Sequence, residues 1–295
     1  MNKKDKITLI TILSCFGLIV QTLFICKLLI PRIELNSVNP KLIGTYSGGS
    51  TGKAQSVFCS FSDKSHEITE TNYILCKNSD GNFYGFDSES NDFVFLDNEL
   101  NELSIIKTDF SVCKITEYKD GAGILAREND KLNFYYFSPT DNTIYTILTD
   151  IQKRKSKMPV FFDTYDDLIV YTEPEGAIVC MRENDTETAL VYPNRYLLCA
   201  YDSNSILVMR VINYELGFTA IEKYDLTECE FKHLRYGFFP SSSHCCLSPD
   251  KRYLISFKIN RSNGEYSPVI IDLNNPVQKK ISARNLDFSY SQWTE

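Results

Sequence analysis

Three groups of residues in this 295-residue chain have types and spacings that could do chemistry. Gly48-Gly-Ser-Thr-Gly-Lys53 has the composition of a phosphate loop, in which backbone amides cradle phosphate while Lys and Ser/Thr reach phosphate oxygens and Mg²⁺. Its first glycine stands at the wrong spacing and Ala54 replaces the Ser/Thr, so the stretch reads as a turn or exposed loop. His244-Cys245-Cys246 offers soft metal ligands, but adjacent residues on a strand point to opposite faces and cannot all converge on one ion. Asp163, Asp166 and Asp167 offer hard oxygens for Ca²⁺ without the glycine-punctuated spacing of such loops, and read as a turn after a strand. There are only three histidines, His66, His233 and His244, and no Gly-x-Ser-x-Gly elbow. The sequence therefore assigns no catalytic, cofactor-binding or metal site and no cofactor. An enzyme would need acids converging from several strands, and Glu70, Asp109, Asp163 and Asp287 are the residues to inspect for that.

Ten cysteines are present, none in a Cys-x-x-Cys pair. Cys15 and Cys26 lie in the apolar N-terminal run; Cys59, Cys76, Cys113, Cys180, Cys199, Cys229, Cys245 and Cys246 mostly sit singly inside apolar stretches and read as small buried hydrophobes. Lys153-Arg-Lys-Ser-Lys157 is the one basic cluster, a solvated loop or a contact for an anionic partner. The chain carries a net charge of −7, and beyond residue 32 the balance is 26 basic against 37 acidic side chains. A body that acidic repels phosphate, which argues against nucleic acid as a partner.

Positioning elements begin with Ile7 to Ile30, 24 residues with no acid and only Lys27 as a base. About 20 apolar residues cross a hydrocarbon core, and this run is apolar on all sides rather than amphipathic. It is expected to be a single uncleaved transmembrane helix, because no Ala-x-Ala cleavage site follows as a signal peptide would require. Three lysines in residues 1–6 favour a cytoplasmic tail there and an extracytoplasmic body, giving a single-pass cell-membrane protein. Residues 31–40, bounded by Pro31 and Pro40, read as a linker, and residues 41–295 as one folded domain.

Within that domain apolar runs end at recurring acidic turns: Asp80-Gly81, Asp120-Gly121, Asp166-Asp167, Asp202 and Asp250, separated by 40, 46, 36 and 48 residues. Between them, short β-type stretches recur about every ten residues, rich in the chain's 18 Tyr and 19 Phe. A period of roughly 40–50 residues made of four short strands is that of a propeller blade. Ser248-Pro249-Asp250-Lys-Arg-Tyr-Leu-Ile255 resembles the Ser-Pro-Asp-Gly-Lys-Tyr-Leu-Ala turn of TolB-like propeller blades, and that resemblance implies six blades. The fold expected is all-β, a six-bladed β-propeller with five or seven as the neighbouring counts. Five blades fall between Asn72 and Ser282. The sixth would be built from both termini, with Leu286–Tyr290 pairing beside Leu42–Tyr46, which removes open sheet edges.

An anchor, a repeat and no catalytic constellation together favour a membrane-anchored binding or scaffolding module for a protein, peptide or glycan partner. The alternative is a propeller enzyme, a hydrolase or lyase, with its site in the central channel mouth. If Asp250 caps a blade turn, Asp250→Ala should cost about 0.5–2 kcal/mol in a urea melt and leave binding intact. Lost binding with unchanged melting would instead mark Asp250 as a site residue.

Overall fold

The computed structural model describes residues 12, 14–22, 32–38, 40–47, 54–62, 66–151, 161–173, 176–182, 188–237, 239, 245–259, 266–275, 277–281 and 290–293. The strands are β1 (Lys41–Ser47), β2 (Ala54–Phe61) and β3 (His66–Glu70), followed by five meanders. Blade one holds β4 (Tyr73–Lys77), β5 (Phe83–Asp87), β6 (Asp92–Leu96) and β7 (Glu102–Lys107). Blade two holds β8 (Ser111–Tyr118), β9 (Gly121–Glu128), β10 (Lys131–Ser138) and β11 (Thr143–Leu148). Blade three has β12 (Phe162–Tyr165), β13 (Leu168–Thr172), β14 (Ile178–Met181) and β15 (Thr188–Leu190), and blade four β16 (Arg195–Asp202), β17 (Ser205–Asn213), β18 (Phe218–Asp225) and β19 (Glu230–Gly237). Blade five comprises β20 (Cys245–Leu247), β21 (Tyr253–Ile259), β22 (Tyr266–Asp272) and β23 (Gln278–Lys280), and the chain returns in β24 (Tyr290–Trp293).

These strands form six separate four-stranded sheets, five of them in chain order and the sixth in the order β24-β1-β2-β3. The molecule is a six-bladed β-propeller whose last blade is closed by both ends of the chain. The expected closing strand lay at Leu286–Tyr290; the observed one is β24, with Leu42 opposite Trp293 and Thr45 opposite Tyr290. Residues 282–289 lie outside the described residues.

Alternation along each strand explains why blades stack in a ring. In β13, Ile169 and Tyr171 pack toward blade two while Leu168 and Val170 pack toward blade four. In β21 and β22, Leu254, Val269 and Ile271 face blade four, while Ile255, Phe257 and Ile270 face the closing blade. Each of the six buried clusters thus joins one pair of neighbouring blades. Side chains on successive strand positions point to opposite faces, and here both faces are core.

The turns between first and second strands are tied by side chains. In blade five Tyr253 N donates to Ser248 Oγ at 2.9 Å, Arg252 N donates to Asp250 Oδ1 at 3.1 Å, and Ser248 N donates to Tyr253 O at 2.8 Å. Asn78 does the same work in blade one, its Oδ1 accepting from Asp80 N at 3.1 Å and Asn82 N at 2.9 Å. Gly81 there takes a φ of 87°, a conformation that glycine adopts without penalty. Gly121 is needed for a different reason: a Cβ at that position would lie 2.1 Å from the carbonyl oxygen of Phe137.

Residues 14–22 are helical, and among the described residues no helix is long and apolar enough to cross a membrane. The expected span Ile7–Ile30 lies only in part within the described residues. The segment expected to be a linker is instead packed. Leu35–Val38 forms a single helical turn, and Ile33 and Leu35 are 7% and 1% exposed, within the cluster that joins blade five to the closing blade. The prolines at sequence positions 31 and 40 do not prevent two apolar side chains from inserting. Leu35→Ala should therefore destabilise the protein by about 2–5 kcal/mol in urea unfolding. A loss below about 0.5 kcal/mol, the usual range for surface substitutions, would return residues 31–40 to the status of a linker.

Candidate functional site

The innermost strands β24, β4, β8, β12, β16 and β20 surround the axis, and none of them is hydrogen-bonded to the next as a sheet. Their backbone groups and polar side chains must find partners across the gaps between blades. Gln292 on β24 spans the closure with both ends of its amide: Nε2 donates to Lys77 O at 2.8 Å, and Oε1 accepts from Lys77 N at 2.9 Å. Glu117 Oε1 on β8 accepts from Ser79 N at 2.9 Å, and its carbonyl accepts from Thr164 Oγ1 at 3.0 Å. Lys114 Nζ donates to Phe162 O at 2.8 Å and pairs with Asp163 Oδ1 at 3.3 Å. Asp163 Oδ2 accepts in turn from Ala200 N on β16 at 3.0 Å. Polar side chains thus link blade to blade from the closing blade round to blade four.

Above these bridges a cavity of about 410 Å³ opens at the C-terminal ends of the innermost strands. Its rim is formed by the turns that follow β8, β12 and β20. Lys119, Asp166 and Lys251 on that rim hold φ angles of 53°, 53° and 59°, a region costly for residues with a Cβ. Eight other described non-glycine residues, Leu100 and Asn142 among them, hold the same conformation in turns away from the cavity, so it is a feature of the propeller's turns generally. Lys251 stands in the turn between β20 and β21. Its ammonium lies 4.9 Å from the centre of the Tyr165 ring and 5.2 Å from that of Tyr201. Lys119 is held similarly, 5.4 Å from the rings of both Tyr118 and Tyr136. Such contacts fix a cation over an aromatic face. The rim therefore presents two oriented ammonium groups, the carboxylate of Asp166 and the half-exposed ring of Tyr165.

Cys76, Cys245 and Cys246 line the cavity wall. Burial pushes the thiols of Cys76 and Cys245 up to about 12 and raises those of Cys246 and Cys199 as well. Thiols so disposed stay protonated at neutral pH and are poor nucleophiles. Among the described residues no three His, Cys, Asp or Glu side chains are grouped to hold a metal ion.

Of the three acids singled out in the sequence that fall among the described residues, Asp163 alone reaches the channel. Glu70 ends the outermost strand of the closing blade, and Asp109 is exposed between β7 and β8. Asp287 lies outside the described residues, as do Gly48–Lys53, Lys153–Lys157 and His244. His233 sits on the outermost strand of blade four, stacked 3.8 Å from Tyr236. Asp167 pairs with Arg182 at 3.4 Å, a surface brace consistent with a turn. Sequence reasoning missed Lys114, Glu117, Lys119, Lys251 and Gln292. A lysine inside the apolar run Val112–Ile115 is the signal that could have pointed to the axis.

A scan of protein-family models finds no match, and neither does a search of curated proteins. Among solved structures, the chain is similar to TolB from Acinetobacter baumannii, with 7% identity, 86% of this chain and 66% of that chain covered, and a TM-score of 0.57. It thus spans slightly less than two thirds of the TolB chain. It is also similar to an oligogalacturonate lyase in complex with manganese, with 10% identity, 82% and 84% covered, and a TM-score of 0.53. Identities this low carry the propeller fold and nothing about the site.

The rim strain can be measured directly. Both Lys251→Ala and Lys251→Gly remove the ammonium, but only glycine relieves the left-handed backbone, a difference of roughly 1–2 kcal/mol. Lys251→Gly should melt above Lys251→Ala; equal melting would mean that the turn relaxes without strain.

Proposed function

We propose that the chain is a membrane-tethered binding module whose channel mouth takes an extended peptide segment of a partner protein. The observation that carries this reading is the employment of the channel's polar groups. Both oxygens of Asp163 are engaged, by Lys114 and by Ala200 N, and Glu117 and Gln292 brace neighbouring blades. Acid–base chemistry needs a group in hydrogen-bonding reach of a substrate proton; these groups serve the scaffold. What the rim offers outward is a set of oriented charges of both signs beside tyrosine rings, suited to backbone amides and charged side chains of a peptide. The cavity volume of about 410 Å³ falls within the range of small-ligand pockets, enough for a few side chains rather than a folded domain. The tether is supplied in this reading by Ile7–Ile30, with the body extracytoplasmic.

Panning a random peptide library against the detergent-solubilised full chain, with the mouth open to solvent, tests the binding. Recovered peptides should compete with one another and lose affinity at least about tenfold, or roughly 1.4 kcal/mol, on Lys251→Glu, with melting unchanged. Binders that ignore both Lys251→Glu and Tyr165→Ala would place recognition elsewhere and sink the proposal. Protease added to intact cells should digest the body; a protected body would overturn the topology.

A further inference from the structure

The direction from which the N-terminal segment joins the propeller has a consequence for the cavity. Innermost strands run toward the mouth, so second strands start at the mouth end and third strands finish there. β1 is the second strand of the closing blade and β2 its third. Lys41, at the start of β1, and Phe61, at the end of β2, therefore both lie at the mouth end, and Phe61 N donates to Pro40 O at 3.3 Å. The packed segment before Pro40 rests on the same end of blade five. Arg32, Ile33, Glu34 and Ser37 face Arg252 and Asp272 across a small cleft, and Arg252 directly follows the rim turn that carries Lys251. The chain thus enters the fold at the edge of the face on which the cavity opens.

There is almost no slack before that point. The apolar run ends at Ile30, and only Pro31 and Arg32 separate it from buried Ile33. Three residues of extended chain span about 10 Å. If Ile7–Ile30 crosses the membrane, as the reading above has it, the mouth-side edge of the propeller is held within about that distance of the headgroups. A ten-residue flexible linker would have left orientation free; the packed segment removes that freedom. We infer that the channel mouth faces the bilayer, so that its ligand is a juxtamembrane peptide segment presented by a membrane-bound protein. A peptide approaching from bulk solvent would meet the opposite end of the ring.

This inference rests on the tether, and its test separates the two. The full chain is reconstituted into liposomes containing a headgroup-labelled acceptor lipid, with a fluorescent noncanonical amino acid placed in blade two, across the ring from the tether. One variant carries it at Thr140, in the exposed turn between β10 and β11 at the mouth end; the other carries it at Asp130, in the exposed turn between β9 and β10 at the far end. The eight residues of β10 set these turns roughly 25 Å apart at about 3.3 Å per residue. The expected result is a several-fold greater loss of donor emission at Thr140 than at Asp130. Equal transfer from vesicle-bound protein would show a propeller standing on its edge, and stronger transfer at Asp130 a mouth turned away; either overturns the inference while leaving the tether intact. Protein that does not float with the vesicles, or that alkaline carbonate extracts, removes the tether and the inference together.

Discussion

Each blade of this propeller has to bury both of its faces, and the rest of the structure depends on that constraint. A sheet with one solvated face can stand at the edge of a fold, but β13, β21 and β22 are apolar at consecutive positions and have no face to offer water. Neighbours on both sides are therefore obligatory, and a finite row of such sheets always has two unsatisfied ends. Bending the row into a ring removes them. The outermost strands, beyond the reach of a neighbour, carry the exposed positions: Leu103 and Ile105 on β7, Tyr145 on β11 and Tyr236 on β19.

The same geometry creates the site. Six wedges meeting at an axis cannot pack their innermost strands as tightly as their middles, so a channel remains, and its polar lining is cross-braced by side chains rather than by backbone ladders. Gln292 is the clearest case, since its amide reproduces across the closure the two hydrogen bonds that a strand partner would make. Left-handed rim residues then add presentation to bracing: Lys251 and Lys119 project from turns that any glycine would fit more comfortably.

Much of the fold was legible because turn chemistry and apolar runs repeat. Asp80-Gly81 and Ser248-Pro249-Asp250 mark the ends of innermost strands, in turns tied by the side chains of Asn78, Ser248 and Asp250. The candidate site was far less legible, for a reason visible in β8 and β16. Register shifts fall between Val112 and Lys114 and between Leu197 and Cys199. A bulge inserts one residue and exchanges the faces of those beyond it, so counting by twos from the apolar end cannot say that Lys114 reaches the axis. Asp163, read in the sequence as part of a turn after a strand, stands inside β12, and Lys251 was hidden inside a turn that reads as structural. The packing of the N-terminal segment is not legible in the sequence because its prolines read as breaks, whereas Ile33 and Leu35 reach the core beside a single helical turn.

The closing blade also bears on how the chain acquires its shape. β1 and β24 are partners separated by most of the polypeptide, with Thr45 opposite Tyr290. During synthesis β1 to β3 emerge early and must wait, one sheet edge bare, until almost every other residue has left the ribosome. Contacts so distant in sequence form slowly, and waiting strand edges invite pairing with the wrong chain. Blades one to five, each a local meander, can take form in order as they appear. The last event is then the arrival of β24, which carries the chain's single tryptophan, Trp293, into the cluster joining blade five to the closing blade. Its fluorescence would report ring completion separately from the earlier formation of the blades.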